Sequence, residues 1–186
     1  MFQNQQLLNL VDENDKIIGQ ATRNEIHKHG LLHREVHVWV YNDEGGVLLQ
    51  KRSLTKDTFP GLLDASAGGH VELNQSYKEA AKKELLEETG IKADASDLIF
   101  LKKTRGHSYD PKTKTTNNTF RGVFAYRNIN RSEELKLEKG KALSLKFWPI
   151  EKILNIKEKD KKKFVPAISS GKFTEIFRKI KELMKK

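Results

Sequence analysis

The sequence predicts an α/β fold in which helices cover both faces of a mixed β-sheet, within a single domain. Three observations lead to this prediction. The chain has 186 residues, which is enough for one domain with a substantial core and short for two. Segments typical of strands and of helices are mixed along it without a regular βαβ alternation. No internal repeat and no linker rich in proline, glycine or serine divides it, so we take residues 1–186 as one domain.

The N-terminal part of the chain reads as a hairpin, a short helix and a second hairpin. Residues 7–21 place two apolar stretches around a turn rich in aspartate and asparagine. Thr22 and Glu25 have the spacing of a capping box, and Gly30 suits the end of the helix that they begin. In residues 34–42 valines alternate with other residues, which predicts a strand with one apolar side. The turn NDEGG then leads to a partner strand, VLLQKR.

The rest of the chain mixes two longer helices with three strands. Residues 75–89 have helical periodicity, and Gly90 follows in the place of a C-terminal cap. Strands are predicted in DLIFLKK, TFRGVFAY and LSLKFW, with residues 104–118 as a loop that could determine specificity. Pro149 suits the first position of a short helix. The basic C-terminal helix, about residues 172–185, carries an apolar stripe that we interpret as core packing rather than a membrane anchor.

The composition excludes several classes of function. No apolar run reaches the roughly 18 residues of a membrane span, and the N-terminus shows no secretory signal, so we expect a cytoplasmic protein. Because the chain has no cysteine, a disulfide framework, a thiolate nucleophile and a cysteine-based zinc site are excluded. The formal net charge of +10 arises largely from lysines late in the chain. We interpret those lysines mainly as a solvated surface; a nucleic-acid partner is the less favoured alternative, and an anionic small substrate fits as well.

A cluster of carboxylates lies near the end of the helix over residues 75–89. Glu84, Glu87 and Glu88 are three and four residues apart, so their side chains share one face. Each such pair destabilises a helix by about 0.2–0.5 kcal/mol, and a helix C-terminus disfavours negative charge. A divalent cation that prefers oxygen ligands, Mg²⁺ or Mn²⁺, would explain the cluster. On the spacing alone, an exposed glutamate-rich helix end is the plainer interpretation.

The surrounding residues favour the metal site. The stretch GGHVELNQSYKEAAKKELLEETGI, residues 68–91, resembles the Nudix box, G-x5-E-x7-R-E-U-x-E-E-x-G-U with U an aliphatic residue. The matching positions, within a box that spans residues 69–91, are Gly69, Glu84, Leu85, Glu87, Glu88, Gly90 and Ile91. The two departures are Gln75 for the first glutamate and Lys83 for the arginine. The resemblance implies a Nudix-type α/β/α sandwich and a hydrolase that cleaves a nucleoside diphosphate linked to another moiety.

The similarity continues toward the N-terminus. Residues 12–71 look like the Nudix branch whose N-terminal half is similar to isopentenyl diphosphate isomerase. The isomerases need a cysteine in the segment that corresponds to DASAGGH, and this chain has alanine and serine there. The sequence therefore argues against isomerase activity by that mechanism.

The resemblance also implies roles for individual residues. The expected metal ligands are Glu84, Glu88, the carbonyl of Gly69 and, directly or through water, Glu87. Several carboxylates on one metal leave one of them able to act as general base, and Glu84 is the first candidate, with Glu87 as a second catalytic carboxylate. Family members place the base variably, and the alternatives on a later loop are Glu133, Glu134 and Glu138.

Two basic residues and a histidine lie close in sequence to the glycine-rich loop. Arg52 and Lys56 are the candidates for contact with substrate phosphates, with an ordinary exposed strand end as the alternative. His70 adjoins Gly69, and a structural hydrogen bond is its expected role. We interpret three further histidines as isolated residues without a function: His33, His37 and His107.

Gln75 and Lys83 would brace the site rather than bind the metal. In the family, the corresponding glutamate and arginine can form a pair that orients the metal carboxylates. Gln75 can still accept and Lys83 can still donate, but the pair becomes monodentate and positively charged. We therefore expect a working hydrolase with weakened metal affinity. The alternative is a non-catalytic Nudix-scaffold protein that binds nucleic acid or another partner, and homodimer formation is left open.

Overall fold

The structure is a computed structural model that describes residues 5–56, 58–128, 135–138 and 140–185. Its strands and helices, in chain order, are β1 (Leu7–Val11), β2 (Ile17–Thr22), α1 (Arg23–His29), β3 (Leu32–Tyr41), β4 (Gly46–Arg52), β5 (Leu63–Asp64), β6 (Ala67–His70), α2 (Tyr77–Thr89), β7 (Ile99–Asp110), β8 (Thr115–Arg127), β9 (Ala142–Pro149), α3 (Ile150–Leu154), α4 (Pro166–Ser169) and α5 (Thr174–Leu183).

The described strands form one mixed sheet around β3. β3 pairs in parallel with β8 and antiparallel with β6, while β4 pairs with β5 and β9. The register of β3 and β6 places Val36 opposite Gly69 and Glu35 opposite His70. The glycine-rich segment is thereby fixed to the middle of the sheet, against the C-terminal half of α2.

Helices cover both faces of the sheet. Val36, Val38 and Val40 of β3 belong to a core that includes side chains of α2. Trp39 belongs to the core on the opposite face, where its ring centroid lies 4.8 Å from that of Phe177 on α5. The predicted apolar side of β3 is confirmed by these valines, and the opposite side is buried as well. The strand is buried on both faces because it lies at the centre of a three-layer sandwich.

The apolar stripe near the C-terminus packs into this second core. Phe173, Ile176, Phe177 and Ile180 are all buried there. Burial of these side chains against the sheet stabilises the fold by about 1.5–3 kcal/mol for each large side chain. Within the described residues, no helix is both long enough and apolar enough to cross a membrane.

Residues 104–118 form most of a hairpin, so the prediction of a loop was wrong. β7 continues to Asp110 and β8 begins at Thr115, and residues 111–114 make the turn between them. In this part the side chains of β7 alternate between partly buried and exposed, and few of them are apolar, so the strand lacks the apolar alternation that makes strands recognisable. Pairing with β8, which β3 holds in place, determines the conformation instead.

The helix ends lie close to the predicted positions. Ser76 and Glu79 form the capping box that begins α2, and Gly90 ends it with a φ of 78° in the left-handed region. α1 begins at the predicted box of Thr22 and Glu25, whose side chains bond to each other's backbone N–H groups. α3 begins at Ile150, one residue later than predicted, and Pro149 occupies the N-cap position before it.

Replacing Thr22 by Ala is expected to reduce the free energy of unfolding by about 1 kcal/mol, because a backbone donor of α1 loses its partner. Urea unfolding measures the change. Lys28→Ala, on the exposed side of the same helix, is the control and is expected to stay within about 0.5 kcal/mol of the parent chain. Equal losses in the two variants would contradict a capping role.

Candidate metal and diphosphate site

Two buried glutamates lie where α2 packs against β6. Glu84 is 7% exposed and Glu88 is 4% exposed. A Cβ atom built on Gly69 would lie 2.3 Å from Cδ of Glu84, so glycine alone permits this close approach of backbone and carboxylate. The structure thus brings together three of the residues that the sequence analysis selected as metal ligands: Gly69, Glu84 and Glu88.

Glu88 is held in place by two hydrogen bonds. Nε2 of Gln50 and the backbone N–H of Gly68 each donate to Oε2 of Glu88 over 3.0 Å. Burial raises the pKa of Glu88, and these hydrogen bonds oppose the rise because they favour the charged form. Gln50, which the sequence analysis did not select, therefore orients a carboxylate of the candidate site.

Glu84 is strongly perturbed. Its burial and the adjacent charge of Glu88 together raise the pKa of Glu84 to about 7. Two carboxylates that are out of water and repel each other are stabilised by a bound cation, and oxygen ligands of this kind suit Mg²⁺ or Mn²⁺. The residues present therefore fit a hard divalent cation.

Glu87 lies apart from this pair. Its side chain is 40% exposed, and Oε2 lies 3.5 Å from Nζ of Lys83, one turn earlier on α2. Glu87 thus faces solvent and the ammonium group of Lys83, while Glu84 and Glu88 face the sheet. Contact between Glu87 and a metal through water agrees better with this orientation than direct coordination does.

Gln75 and Lys83 meet through a third residue, Glu72. Nζ of Lys83 lies 2.9 Å from Oε1 of Glu72, and the N–H of Glu72 donates to Oε1 of Gln75 over 3.2 Å. Nε2 of Gln75 also donates to the Glu72 carboxylate, as does Nε2 of Gln6. The structure therefore does not join Gln75 to Lys83 as a simple pair. Glu72 supplies the negative charge that Gln75 lacks.

Replacing Glu72 by Gln is expected to raise the Mg²⁺ concentration that half-saturates the candidate site about threefold. The neutral amide attracts Lys83 less, and the loss is small because both partners are 34% exposed. Titration with Mg²⁺, followed by calorimetry, measures this. Glu158→Gln removes an equal charge from an exposed site and is expected to change nothing. A tenfold effect, or none, would contradict this account of the brace.

Arg52 is engaged within the protein. Its Nη1 lies 2.9 Å from Oδ2 of Asp64, and its Nε and Nη2 donate to the carbonyl of Thr58. The guanidinium therefore holds the loop between β4 and β5 in position. Lys56, on that loop, interacts electrostatically with Glu88, and burial lowers the pKa of Lys56.

A second lysine near the carboxylates was missed in the sequence. Lys141 acts electrostatically on both Glu84 and Glu88, and its Nζ lies 2.8 Å from Oε2 of Glu138. Its backbone carbonyl accepts from Ser53, so it adjoins the loop that carries Lys56. Glu138, a candidate base, thus lies near the site, whereas the other two candidates at positions 133 and 134 lie outside the described residues.

Three histidines from separate elements form a cluster beside Gly69. His27 of α1, His33 of β3 and His70 of β6 have ring centroids between 5.1 and 5.3 Å apart. His70 makes its expected contact, with Nε2 lying 3.2 Å from Nε2 of His27. The interpretation of His33 as isolated was wrong, because the pairing of β3 with β6 cannot be read from either segment alone.

Comparison with known proteins identifies the family. The model of the NUDIX domain matches residues 31–168. The chain belongs to the Nudix family. A Nudix hydrolase of Streptomyces coelicolor, SCO1686, is 44% identical over 85 residues, which are 46% of this chain and 47% of that protein. Nudix hydrolase 3 of Arabidopsis thaliana is 32% identical over 160 residues, 83% of this chain and 20% of that protein. The chain thus spans about half, or less, of these relatives.

The fold is confirmed by a solved structure. DR0079 from Deinococcus radiodurans matches with a TM-score of 0.63 and 23% sequence identity, over 94% of this chain and 98% of that one. The predicted Nudix-type sandwich around a mixed sheet, in a single domain, is therefore correct.

Proposed function

We propose that this chain is a metal-dependent Nudix hydrolase that cleaves a diphosphate linkage, in a nucleoside diphosphate derivative, with Mg²⁺ or Mn²⁺ as the cation. The observation that carries the proposal is the buried pair of Glu84 and Glu88 against Gly69. Two adjacent carboxylates cost stability when they are buried, and cation binding offsets that cost.

Glu84 and Glu88 would hold the cation, together with the carbonyl of Gly69 and, through water, Glu87. When bound there, such a cation would neutralise phosphate oxygens and lower the pKa of the attacking water. Gln50 and the N–H of Gly68 keep the Glu88 carboxylate turned into the site. Glu84 is the first candidate for the general base, because a carboxylate beside the cation is placed to accept a proton from the attacking water.

Lys56 and Lys141 provide the positive charge for the substrate. Both lie beside the carboxylate pair, so they can attract the oxygens of a diphosphate that enters over it. Arg52 contributes by fixing the loop that carries Lys56, through Asp64 and Thr58. Glu138, paired with Lys141, is the alternative base.

The similarity to isopentenyl diphosphate isomerase is proposed to concern the handling of a diphosphate and not the isomerisation. The chain has no cysteine, which that reaction needs. We also propose a cytoplasmic location and a small-molecule substrate, with homodimer formation still to be measured. A role in nucleic-acid binding gains little support, since the basic segment near the C-terminus pairs Lys161 with Glu158 and Lys163 with Asp160.

A substrate screen tests the proposed function. The purified chain is incubated with nucleoside diphosphate sugars, dinucleoside polyphosphates, nucleoside triphosphates and non-nucleoside diphosphates, each with Mg²⁺, with Mn²⁺ and with a chelator. We expect at least one substrate to yield phosphate-ended products only when a cation is present. If a folded chain that binds Mg²⁺ cleaves none of them, the proposal of a hydrolase is wrong and a binding role on the same scaffold replaces it.

A further inference from the structure

The hairpin of β1 and β2 contacts the segment that leads into α2. Nε2 of Gln6, just before β1, donates to Oε1 of Glu72 over 2.7 Å, and Leu8 of β1 forms an isolated antiparallel bridge with Glu72. Both strands of the hairpin precede residue 31, where the match to the NUDIX domain begins. A comparison with the Nudix box alone therefore says nothing about these contacts, although they reach the entry to the helix that carries Glu84 and Glu88.

The turn between β1 and β2 holds the first residue of α2. The hydroxyl of Tyr77 lies 3.1 Å from each carboxylate oxygen of Asp15 and donates to that carboxylate. Nε of Arg34 donates to Oδ1 of Asp15 over 2.6 Å, and Nζ of Lys103 donates to Oδ2 over 2.7 Å. Burial favours a higher pKa for Asp15, but the hydrogen bonds from these three donors outweigh it and lower the pKa. Asp15 is therefore a charged anchor for Tyr77.

Asp15 is itself held firmly in the turn. Its φ of 63° lies in the left-handed region, which aspartate tolerates better than most residues. Its N–H donates to the carbonyl of Asp12 over 3.0 Å, and its own carbonyl accepts from Nη2 of Arg34. Oδ1 of Asp12 accepts from the N–H groups of Asn14 and Lys16, each over 2.9 Å. Because the turn is fixed by its own hydrogen bonds, it can determine where Tyr77 lies.

α2 lies close to the sheet at two glycines. A Cβ atom built on Gly122 of β8 would lie 2.7 Å from Cδ1 of Tyr77, and one built on Gly69 would lie 2.3 Å from Cδ of Glu84. Tyr77 and Glu84 are seven residues apart, so they share a face of α2 and lie about 10 Å apart along its axis. Glycine permits the close approach but offers no side chain that resists sliding of the helix. At the N-terminal end of α2, the contact with Asp15 supplies that resistance.

We propose that the β1–β2 hairpin is a positioning element for the candidate metal site, and that Asp15 and Tyr77 are the positioning residues that set its affinity for Mg²⁺. They hold α2 at its first turn, so that Glu84 and Glu88 meet Gly69 in one arrangement. Mg²⁺ demands near-ideal geometry from its oxygen ligands, so ligands that are already held in place bind it more tightly. The inference rests on the proposed metal site and not on the identity of the substrate, because its test measures binding of Mg²⁺.

The experiment replaces Tyr77 by Phe in the full chain, which removes the hydroxyl and keeps the ring over Gly122. Calorimetry is expected to show an affinity for Mg²⁺ about fivefold weaker than in the parent, less than the 10–100-fold loss typical when a direct partner of a metal ligand is removed. At saturating Mg²⁺, kcat is expected to stay within about twofold of the parent, since the carboxylates are unchanged. Tyr109→Phe, which removes a hydroxyl from an exposed tyrosine of β7, is the matched control and is expected to bind like the parent.

A second variant tests the same contact from the hairpin. Asp15→Asn is expected to weaken Mg²⁺ binding at least as much as Tyr77→Phe does. Because the two residues act through one contact, the double variant is expected to bind Mg²⁺ no more weakly than Asp15→Asn alone. Circular dichroism establishes that each variant is folded.

The parent chain separates the two ways in which the result can fail. If the parent binds Mg²⁺ and the folded Tyr77→Phe binds it equally well, the positioning role is wrong while the metal site stands, even if the variant is less stable. Additive losses in the double variant would contradict the role as well. If the parent binds no Mg²⁺, the proposed metal site and this inference are both wrong.

Discussion

Replacing Glu88 by Gln is expected to lower the rate of metal-dependent hydrolysis at least about a hundredfold, because the site loses a charged ligand and with it much of the electrostatic stabilisation of the transition state. The variant isolates that loss. An amide oxygen can still accept from the N–H of Gly68, which donates to Glu88 over 3.0 Å, so the loop should keep its place. The change appears in kcat and in kcat/KM, measured on whichever substrate the screen identifies.

Two other glutamate substitutions serve as comparisons for Glu88→Gln. Glu87→Gln removes the same charge one residue earlier on α2, from a side chain that is 40% exposed and faces Lys83. Its expected loss is about tenfold or less if Glu87 acts only through water. Glu182→Gln, on α5 and exposed, is expected to leave the rate unchanged. Parent-like turnover in Glu88→Gln would show that the metal is bound elsewhere.

Features that depend on neighbouring residues in sequence were the ones predicted well. The capping box of Thr22 and Glu25 acts over three residues, and Glu84 and Glu88 share a face because they are one helical turn apart. The glycine that follows each of these helices, at 30 and 90, ends it in the left-handed conformation. Local chemistry was sufficient for these helices, whereas the candidate ligands were chosen from the resemblance to the Nudix box.

Features that depend on strand pairing could not be predicted in the same way. Lys141 approaches the carboxylates because β9 pairs with β4, and nothing in its own segment indicates this. His33 meets His70 because β3 pairs with β6. Residues 104–110 of β7 form a strand through pairing with β8, although none of their side chains is fully buried. In each case a partner distant in sequence determines the outcome.

The brace around Glu72 shows why a motif comparison alone misjudges this site. By sequence, Gln75 and Lys83 leave an uncompensated positive charge. In the fold, Lys83 lies 2.9 Å from Glu72, three residues before Gln75, and the glutamine amide bonds to the same residue. The negative charge has moved along the chain without leaving the brace. The departures from the motif are therefore weak evidence for a loss of catalytic activity.

Relative to Glu84→Gln, the metal-free parent chain is expected to lose stability as the pH rises from 5 to 8. Folding raises the pKa of Glu84 from 4.5 to about 7, so between these values the folded chain binds more protons than the unfolded chain. The stabilisation is present in full below pH 4.5 and is lost as the pH rises through 7. A shift of this size corresponds to about 3 kcal/mol.

Urea unfolding of the parent and Glu84→Gln, at pH 5 and pH 8 with a chelator, isolates this effect from other titrating groups. The two should have similar stability at pH 5, where Glu84 is mostly protonated when folded, and the variant should be more stable at pH 8. Mg²⁺ at a thousand times its Kd should reverse the order at pH 8, since it adds about 4.1 kcal/mol to a chain that binds it. Parallel pH profiles would show that Glu84 ionises normally, and an unchanged order with Mg²⁺ would show that it is not a ligand.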